Sequence, residues 1–335
     1  MTAPRAGTTL ADVAAAAGVS TAAVSRAFTP GASIAEATRA QVLRAAEALG
    51  YAPNFQARAL ARRRSGLVVW MIPETPAPFY DRVGRTLAAA LAEAGLGLLA
   101  VQAGPDEAEA RLADRALRFR PDAAVIASAT LDARLAPLLR RAGTPVLQFG
   151  RYASGVRAPR VVSDNRGGGA AIARHFLARG FRRIGFVAGL ADASPTRDRA
   201  AGFACALAAA GLKAARFPAA DYSYDAGRAA AARLLRHRPG CEAVFCASDA
   251  IAIGLVDAAR AAGLAVPGDL AVAGFDDLPA AGYDAYALTT MRQDAEGLAE
   301  AAVSSLRTLL DGGVPDDVTV PARLIVRRST LGKEI

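Results

Sequence analysis

The chain has 335 residues, with 40 Lys and Arg against 31 Asp and Glu for a net charge of +9, enough for two or three domains with a buried core. No stretch of about 18 or more uncharged apolar residues is present and no apolar leader opens the chain, so a helical membrane span is excluded and a cytoplasmic protein is expected. Two histidines (His175, His237) and three cysteines (Cys205, Cys241, Cys246) show no metal-ligand spacing; the expectation is reduced, buried thiols, no bound metal and no cofactor.

The charge is uneven. Residues 1–64 carry eight arginines against three acids, so +5 of the +9 falls on the first fifth of the chain. A small basic module ahead of a nearly balanced body is the electrostatic footprint of nucleic-acid binding.

In chain order, Thr9 and Asp12 are spaced as a capping box, so a helix should open at Leu10 with Val13, Ala14 and Ala17 on its inner face. Gly18 can take the positive φ that ends it, and Ser20 is a ready N-cap for a second short helix that turns Val24 inward. Two short helices around a glycine turn predict a helix-turn-helix. After Thr29-Pro30-Gly31 a third helix is expected from about Ala35 to Leu49, with Val42, Leu43, Ala46 and Leu49 as its apolar stripe.

The run Thr9-Leu10-x-Asp12-Val13-Ala14-x-x-Ala17-Gly18-Val19-Ser20-x-x-x-Val24-Ser25-Arg26 resembles the N-terminal signature of the LacI/GalR family of bacterial transcription regulators. The resemblance implies a DNA-binding unit over residues 1–52 and a hinge over 53–65. It implies DNA contacts from Thr9, Ser20, Thr21, Ala22, Ser25 and Arg26, and from Asn54, Ala57, Arg58 and Leu60 of the hinge. Arg26 can fork two donors onto a guanine, while Thr21 and Ala22 are short enough to approach a thymine methyl. On its residues alone the hinge segment is too short for a stable isolated helix, and Leu60 could simply pack on its own domain. The resemblance implies instead a helix formed on DNA, with Leu60 wedged between base pairs in the minor groove. Ala23 and Thr29 depart from the family's threonine and asparagine, which puts phosphate contacts in doubt at those two positions.

From Leu67 strands and helices alternate. Strands are expected at Leu67–Ile72, Leu96–Val101, Ala123–Ala127, Val146–Gly150, Ile184–Ala188, Ala243–Ala247 and Leu270–Phe275. Helices are expected at about Phe79–Ala94, Asp106–Phe119, Ala133–Ala142, Gly168–Arg179, Arg197–Ala210, Ala226–His237 and Ala250–Ala262. This alternation predicts an α/β body of parallel sheets covered on both faces, in two doubly wound lobes, with ligands at the carboxyl ends of the strands. The resemblance implies a periplasmic-binding-protein-like domain over 66–335, with one lobe of about 66–163 plus 291–320 and another of about 164–290 plus 321–335.

Several segments of the body resemble the family residue by residue: Pro78-Phe79-Tyr80, Arg197-x-Arg199-x-x-Gly202-Phe203, Asp221-Tyr222, Ser248-Asp249-x-x-Ala252-x-Gly254, Val266-Pro267-x-Asp269, Gly274-Phe275-Asp276-Asp277 and Leu288-Thr289-Thr290-x-x-Gln293. They imply an effector site built from Phe79, Arg199, Tyr222, Ser248, Asp276 and Gln293. Ser248 stands where many sugar-binding members have asparagine. A carboxylate, an arginine and an aromatic face suit a sugar-like polyol; a buried salt bridge between Arg199 and Asp276 is the bland alternative. Gly167-Gly168-Gly169 lacks phosphate-loop spacing, and Ser163-Asp164 with His175 lacks any nucleophile signature, so no catalytic residue is assigned.

These readings make the chain a transcription regulator, most simply a repressor. Its expected partners are palindromic operator DNA, a small sugar-like effector and a second copy of itself, with no membrane. A transporter's solute-binding protein would leave residues 1–64 without a use, and a sugar kinase would need a phosphate loop. Nine residues follow Val326 without leucine heptads, so a tail-driven tetramer is not expected.

Overall fold

The computed structural model describes residues 8–28, 32–51, 64–72, 78–104, 107–127, 134–153, 155–236 and 240–331. The chain divides into two compact units, Met1–Ser65 and Gly66–Ile335.

In the first unit, helices α1 (Leu10–Ala16), α2 (Thr21–Ala27) and α3 (Glu36–Ala48) enclose Val13, Ala14, Ala17, Val24, Ala27, Val42 and Ala46. The capping box forms: the Thr9 hydroxyl accepts the Asp12 N–H at 3.3 Å, and the Asp12 carboxylate accepts the Thr9 N–H at 2.7 Å. Gly18 takes φ +58°, and Ser20 accepts the Ala23 N–H at 3.2 Å to start α2. The expected stripe of α3 is only half right. Val42 and Ala46, four residues apart, share the buried face, but Leu43 and Leu49 are 43% and 40% exposed. Leu43 lies one step, about 100°, round the helix from Val42, and Leu49 is its C-cap. The helix holds the bundle with polar arms instead. Arg39 donates to the carbonyls of Ala27 and Ala32, and Gln41 donates to that of Ala17, which satisfies acceptors around the ends of α1 and α2.

The second unit holds two parallel sheets. The larger comprises β1 (Leu67–Ile72), β2 (Gly97–Gln102), β3 (Ala123–Ile126), β4 (Val146–Phe149), β5 (Arg160–Ser163) and β11 (Val318–Val320), in the order β11-β5-β4-β3-β1-β2. Both of its faces are covered. Val68 and Trp70 point towards α4 (Pro78–Glu93) and α11 (Ala295–Leu310), while Val69 and Met71 pack with Leu112 of α5 (Glu109–Leu117) and Leu135 and Leu139 of α6 (Leu135–Arg141). The smaller sheet, ordered β7-β6-β8-β9, comprises β6 (Ile184–Ala188), β7 (Ala215–Pro218), β8 (Ala243–Cys246) and β9 (Ala271–Ala273). It is flanked by α7 (Asn165–Ala178), α8 (Ser194–Ala208), α9 (Tyr224–Arg236) and α10 (Asp249–Ala261). A separate antiparallel pair joins β10 (Thr290–Gln293) to β12 (Ala322–Ile325), with Met291, Ala322 and Leu324 packed on the core of the smaller sheet.

Three features differ from the sequence reading. Strands β5 and β7, and every element after Phe275, had no expected counterpart. Helix α7 opens at Asn165 rather than at Gly168, so Gly167–Gly169 all lie inside it, and Asp164 caps it through the Gly167 N–H at 2.7 Å. Cys205 is exposed on α8, whereas Cys241 is half-buried and Cys246 buried; all three are free thiols. Burial pushes the Cys241 thiol up to about 11 and the Cys246 thiol further still. Ser163, Asp164 and His175 form no triad, for Ser163 bonds Gln293 and His175 bonds Thr330. Among the described residues no helix is long and apolar enough to cross a membrane, and no cluster of three metal-ligating side chains occurs.

Glycine sets one distance that matters for function. A Cβ on Gly202 of α8 would stand 1.8 Å from the Arg166 carbonyl oxygen, and one on Gly169 of α7 would stand 2.2 Å from that of Arg199. The two helices therefore meet backbone to backbone next to Arg199. Gly202→Ala should cost at least the 1–3 kcal/mol typical of overpacking, read as a lower urea midpoint at unchanged m-value. An unshifted midpoint would show that the helices part freely.

Candidate functional site

In the first unit, α2 presents one exposed face. Thr21, Ala22, Ser25 and Arg26 are all exposed, while Val24 and Ala27 are buried beneath them. The Arg26 Nε donates to the Ala22 carbonyl at 3.3 Å, which lays the arginine stem along the helix. Ser20 is exposed, with its hydroxyl engaged as the cap. The Thr9 hydroxyl donates to Asp12 at 2.7 Å, and that bond and the Thr9 N–H hold the Asp12 carboxyl below its usual value. Asn54, Ala57, Arg58 and Leu60 fall outside the described residues.

In the second unit, all six expected effector residues line one cavity: Phe79, Arg199, Tyr222, Ser248, Asp276 and Gln293. It encloses about 450 Å³ of space between atoms, counting its open mouth. Its walls come from both sheets. Phe79 and Tyr80 enter from the start of α4, and Gly150 and Arg151 follow β4. Arg199 lies in the first half of α8, Tyr222 precedes α9, Ser248 caps α10, and Asp276 lies just beyond β9.

The polar floor is a connected network. Arg199 donates through Nε to the Asn165 side-chain oxygen at 2.8 Å and through Nη1 to the Ala247 carbonyl. Its Nη2 stands 3.6 Å from Asp276 Oδ1, and its guanidinium lies 3.6 Å from the centre of the Phe275 ring. Gln293 donates to Asp276 Oδ1 at 2.6 Å and accepts the Ser163 hydroxyl at 2.5 Å. Asp276 has φ +124°, a strained conformation for a residue with a side chain, of the kind that persists at ligand sites when surroundings enforce it. The enforcing contact is its N–H bond to the Met291 carbonyl at 2.9 Å. On the aromatic side, the Tyr222 hydroxyl shares a hydrogen bond of 2.6 Å with Thr196. Gly189 leaves the space for that ring, since a Cβ there would stand 2.7 Å from it.

Burial dominates the electrostatics. It holds the Arg199 guanidinium below its usual value and pushes the Asp276 carboxyl up to about 6, against the pull of Arg199 and the Gln293 bond. Both members of the pair thus lose more by leaving water than they recover from each other at 3.6 Å. Burial, reinforced by the charge of Asp276, pushes Asp249 beneath the site up to about 8.

Sequence reasoning missed Asn165, Thr196 and Arg151. Asn165 and Thr196 gave no signal, since they act only through contacts distant in sequence. Arg151 did give one, because it directly follows the carboxyl end of a buried strand, where α/β sheets bind ligands.

Carboxyls raised in the folded state bind more protons there than in the unfolded chain, so stability falls as pH rises through the window between the two values. Between about pH 4 and the value of about 8 for Asp249, the two carboxyls lower the melting temperature as pH rises. They are opposed below 6.5 by His175, whose value burial lowers, so the net fall should be clearest above that pH. Asp249→Asn should flatten the slope above pH 6, and an unaltered slope would refute the assignment.

Comparison with known proteins follows the same division. The periplasmic binding protein-like domain profile matches residues 173–330, and that of bacterial regulatory proteins, lacI family, matches residues 9–54. The HTH-type transcriptional regulator MalR of Streptomyces coelicolor is 34% identical, over 96% of each chain. The HTH-type transcriptional regulator CelR of Thermobifida fusca is 32% identical, over 97% of each. Among solved structures, a transcriptional regulator CelR–cellobiose complex superposes with a TM-score of 0.73 at 31% identity, over 96% of this chain and 99% of that one. The lac repressor dimer bound to operator and the anti-inducer ONPF gives 0.83 at 26% identity, over the same shares. Whole-length identity above 30%, with the three-helix unit and the two-sheet body in one chain, means that this protein belongs to the LacI family of bacterial transcriptional regulators, which are DNA-binding proteins and not enzymes.

Proposed function

We propose that this regulator is a repressor that binds a palindromic operator as a homodimer and is released from it by a small sugar-like effector. The observation that carries the reading is the single cavity lined by Phe79, Arg199, Tyr222, Ser248, Asp276 and Gln293 in a chain that also carries the exposed face of α2. Relatives support it: one similar protein is a ribose operon repressor of Escherichia coli, and one similar structure is a complex with cellobiose.

In this reading Thr21, Ala22 and Arg26 read base edges in the major groove, while Thr9, Ser20 and Ser25 position the unit on phosphates. Residues 53–65 form the hinge, with Asn54, Ala57 and Arg58 against the minor groove and Leu60 as the wedge. The lobes divide at about 66–163 with 291–320 and 164–290 with 321–335, and the protein works in the cytosol, where its operator is. Gln293 gives the coupling a route. It bonds Ser163, the last residue of β5 in the larger sheet, and Asp276, beside the smaller one. A ligand that takes a hydrogen bond from this network favours one lobe arrangement over another, and only that differential affinity can move the hinge. Near-complete release needs roughly 5.5 kcal/mol of such difference.

Asp276→Asn keeps the shape and the Gln293 contact but removes the charge. A charge-assisted hydrogen bond is worth about 1.5–3 kcal/mol, so the effector concentration for half-release should rise roughly 10- to 150-fold. Fluorescence anisotropy on operator DNA with increasing effector reads this directly. An unchanged half-release point places the effector elsewhere, and tighter operator binding with added effector makes it a corepressor.

A further inference from the structure

The cavity contains a second guanidinium. Arg151 is 6% exposed, and its side chain lies between two tyrosines, 5.3 Å from the ring centre of Tyr80 and 4.8 Å from that of Tyr222. Among the described residues its Nε is the one buried side-chain nitrogen or oxygen without a hydrogen-bond partner, and no carboxylate there comes within ion-pairing distance of it. Arg199 differs, since its Nε and Nη1 donate to Asn165 and Ala247 and its Nη2 stands 3.6 Å from the Asp276 carboxylate. A buried donor without a partner costs about 1–3 kcal/mol, and more for a charged group. The two rings engage the faces of the guanidinium by cation–π attraction but leave that N–H donor unmet.

The backbone does not leave Arg151 free to turn away. Gly150 precedes it at φ +66°, tight against the Tyr80 ring. Tyr152 follows it, donating its N–H to the Ser194 hydroxyl at 2.9 Å and its own hydroxyl to Asp198 at 3.1 Å. The charge balance points the same way. Arg151 and Arg199 face one carboxylate in the lining, Asp276, while burial favours the neutral form of Asp249 below. The lining thus holds one positive charge in excess.

We propose that the effector is a polyol carrying an anionic group, a carboxylate or a phosphate ester, and that Arg151 binds that group between Tyr80 and Tyr222. Arg199, Asp276 and Gln293 then hold the hydroxyls. This rests on the reading of the cavity as the effector site. A guanidinium presents a planar fork of donors that matches both anions, and the low-dielectric pocket strengthens the attraction. A neutral sugar would leave the excess charge buried and unmatched.

The test is thermal melting of the full chain with hexuronates, aldonates and hexose 6-phosphates, each beside its neutral parent sugar at matched ionic strength. At least one anion should raise the wild-type melting temperature by mass action while its parent does not; the uronate and phosphate arms identify which anion. Arg151→Met should lose that shift. Without ligand it should melt no lower than wild type, because an unpaired buried charge has been replaced by an apolar chain. Three results would overturn the proposal: an equal shift from the neutral parent, an anion shift that survives Arg151→Met, or a ligand-free variant that melts several degrees lower. A neutral sugar whose shift disappears in Arg199→Lys would sink this inference and leave the cavity as the effector site. A wild type unmoved by every compound would sink both.

Discussion

The ion pair of Arg199 with Asp276 is the contact on which the second unit's design depends. It is buried, it spans 3.6 Å, and neither partner gains from it what burial takes away. A pair of that kind is poor evidence for stability. Its surroundings hold it in one geometry nonetheless: Asn165 and the Ala247 carbonyl fix the guanidinium, Gln293 fixes the carboxylate, and the Asp276 backbone is pinned at φ +124°. Gly169 and Gly202 bring α7 and α8 close enough for Asn165 to reach Arg199. In the proposed function, side chains so constrained at a net cost are pre-organised for the effector.

The position of the pair matters as much as its chemistry. Gln293 lies on β10, where the chain leaves the smaller sheet for α11 against the larger, and it bonds Ser163 on the other connection between them. The pocket's hydrogen-bond network and the passage between sheets are therefore one structure. A change in which atoms Gln293 bonds is felt by both sheets, whereas a pocket set wholly within one sheet would have no such lever.

How much of this was legible depended on the range of the interactions. The capping box at Thr9, the turn at Gly18 and the N-cap at Ser20 are local chemistry, and each formed as read. Long apolar runs such as Leu67–Ile72 were equally plain, because a strand buried on both faces has no other composition. Beyond Phe275, β11 pairs with β5, more than 150 residues earlier, and no local pattern marks such a pairing. Leu43 and Leu49 were misread because hydrophobicity alone does not fix the angle of a helix face. The six pocket residues came from motif likeness. Arg151 had no motif, and its meaning appears only once Tyr80 and Tyr222 are seen on either side of it.

In the proposed function, the pocket and the DNA-reading face are thermodynamically linked in one chain. Linkage is reciprocal, so an effector that weakens operator binding by some factor must itself bind more weakly, by the same factor, when operator is present. The direct measurement is calorimetric titration of the effector into the free protein and into the operator complex. The dissociation constant should be raised in the complex by the factor by which effector lowers operator affinity. Equal constants in the two titrations would contradict the linkage, since the cavity would then be a binding site with no hold on the DNA.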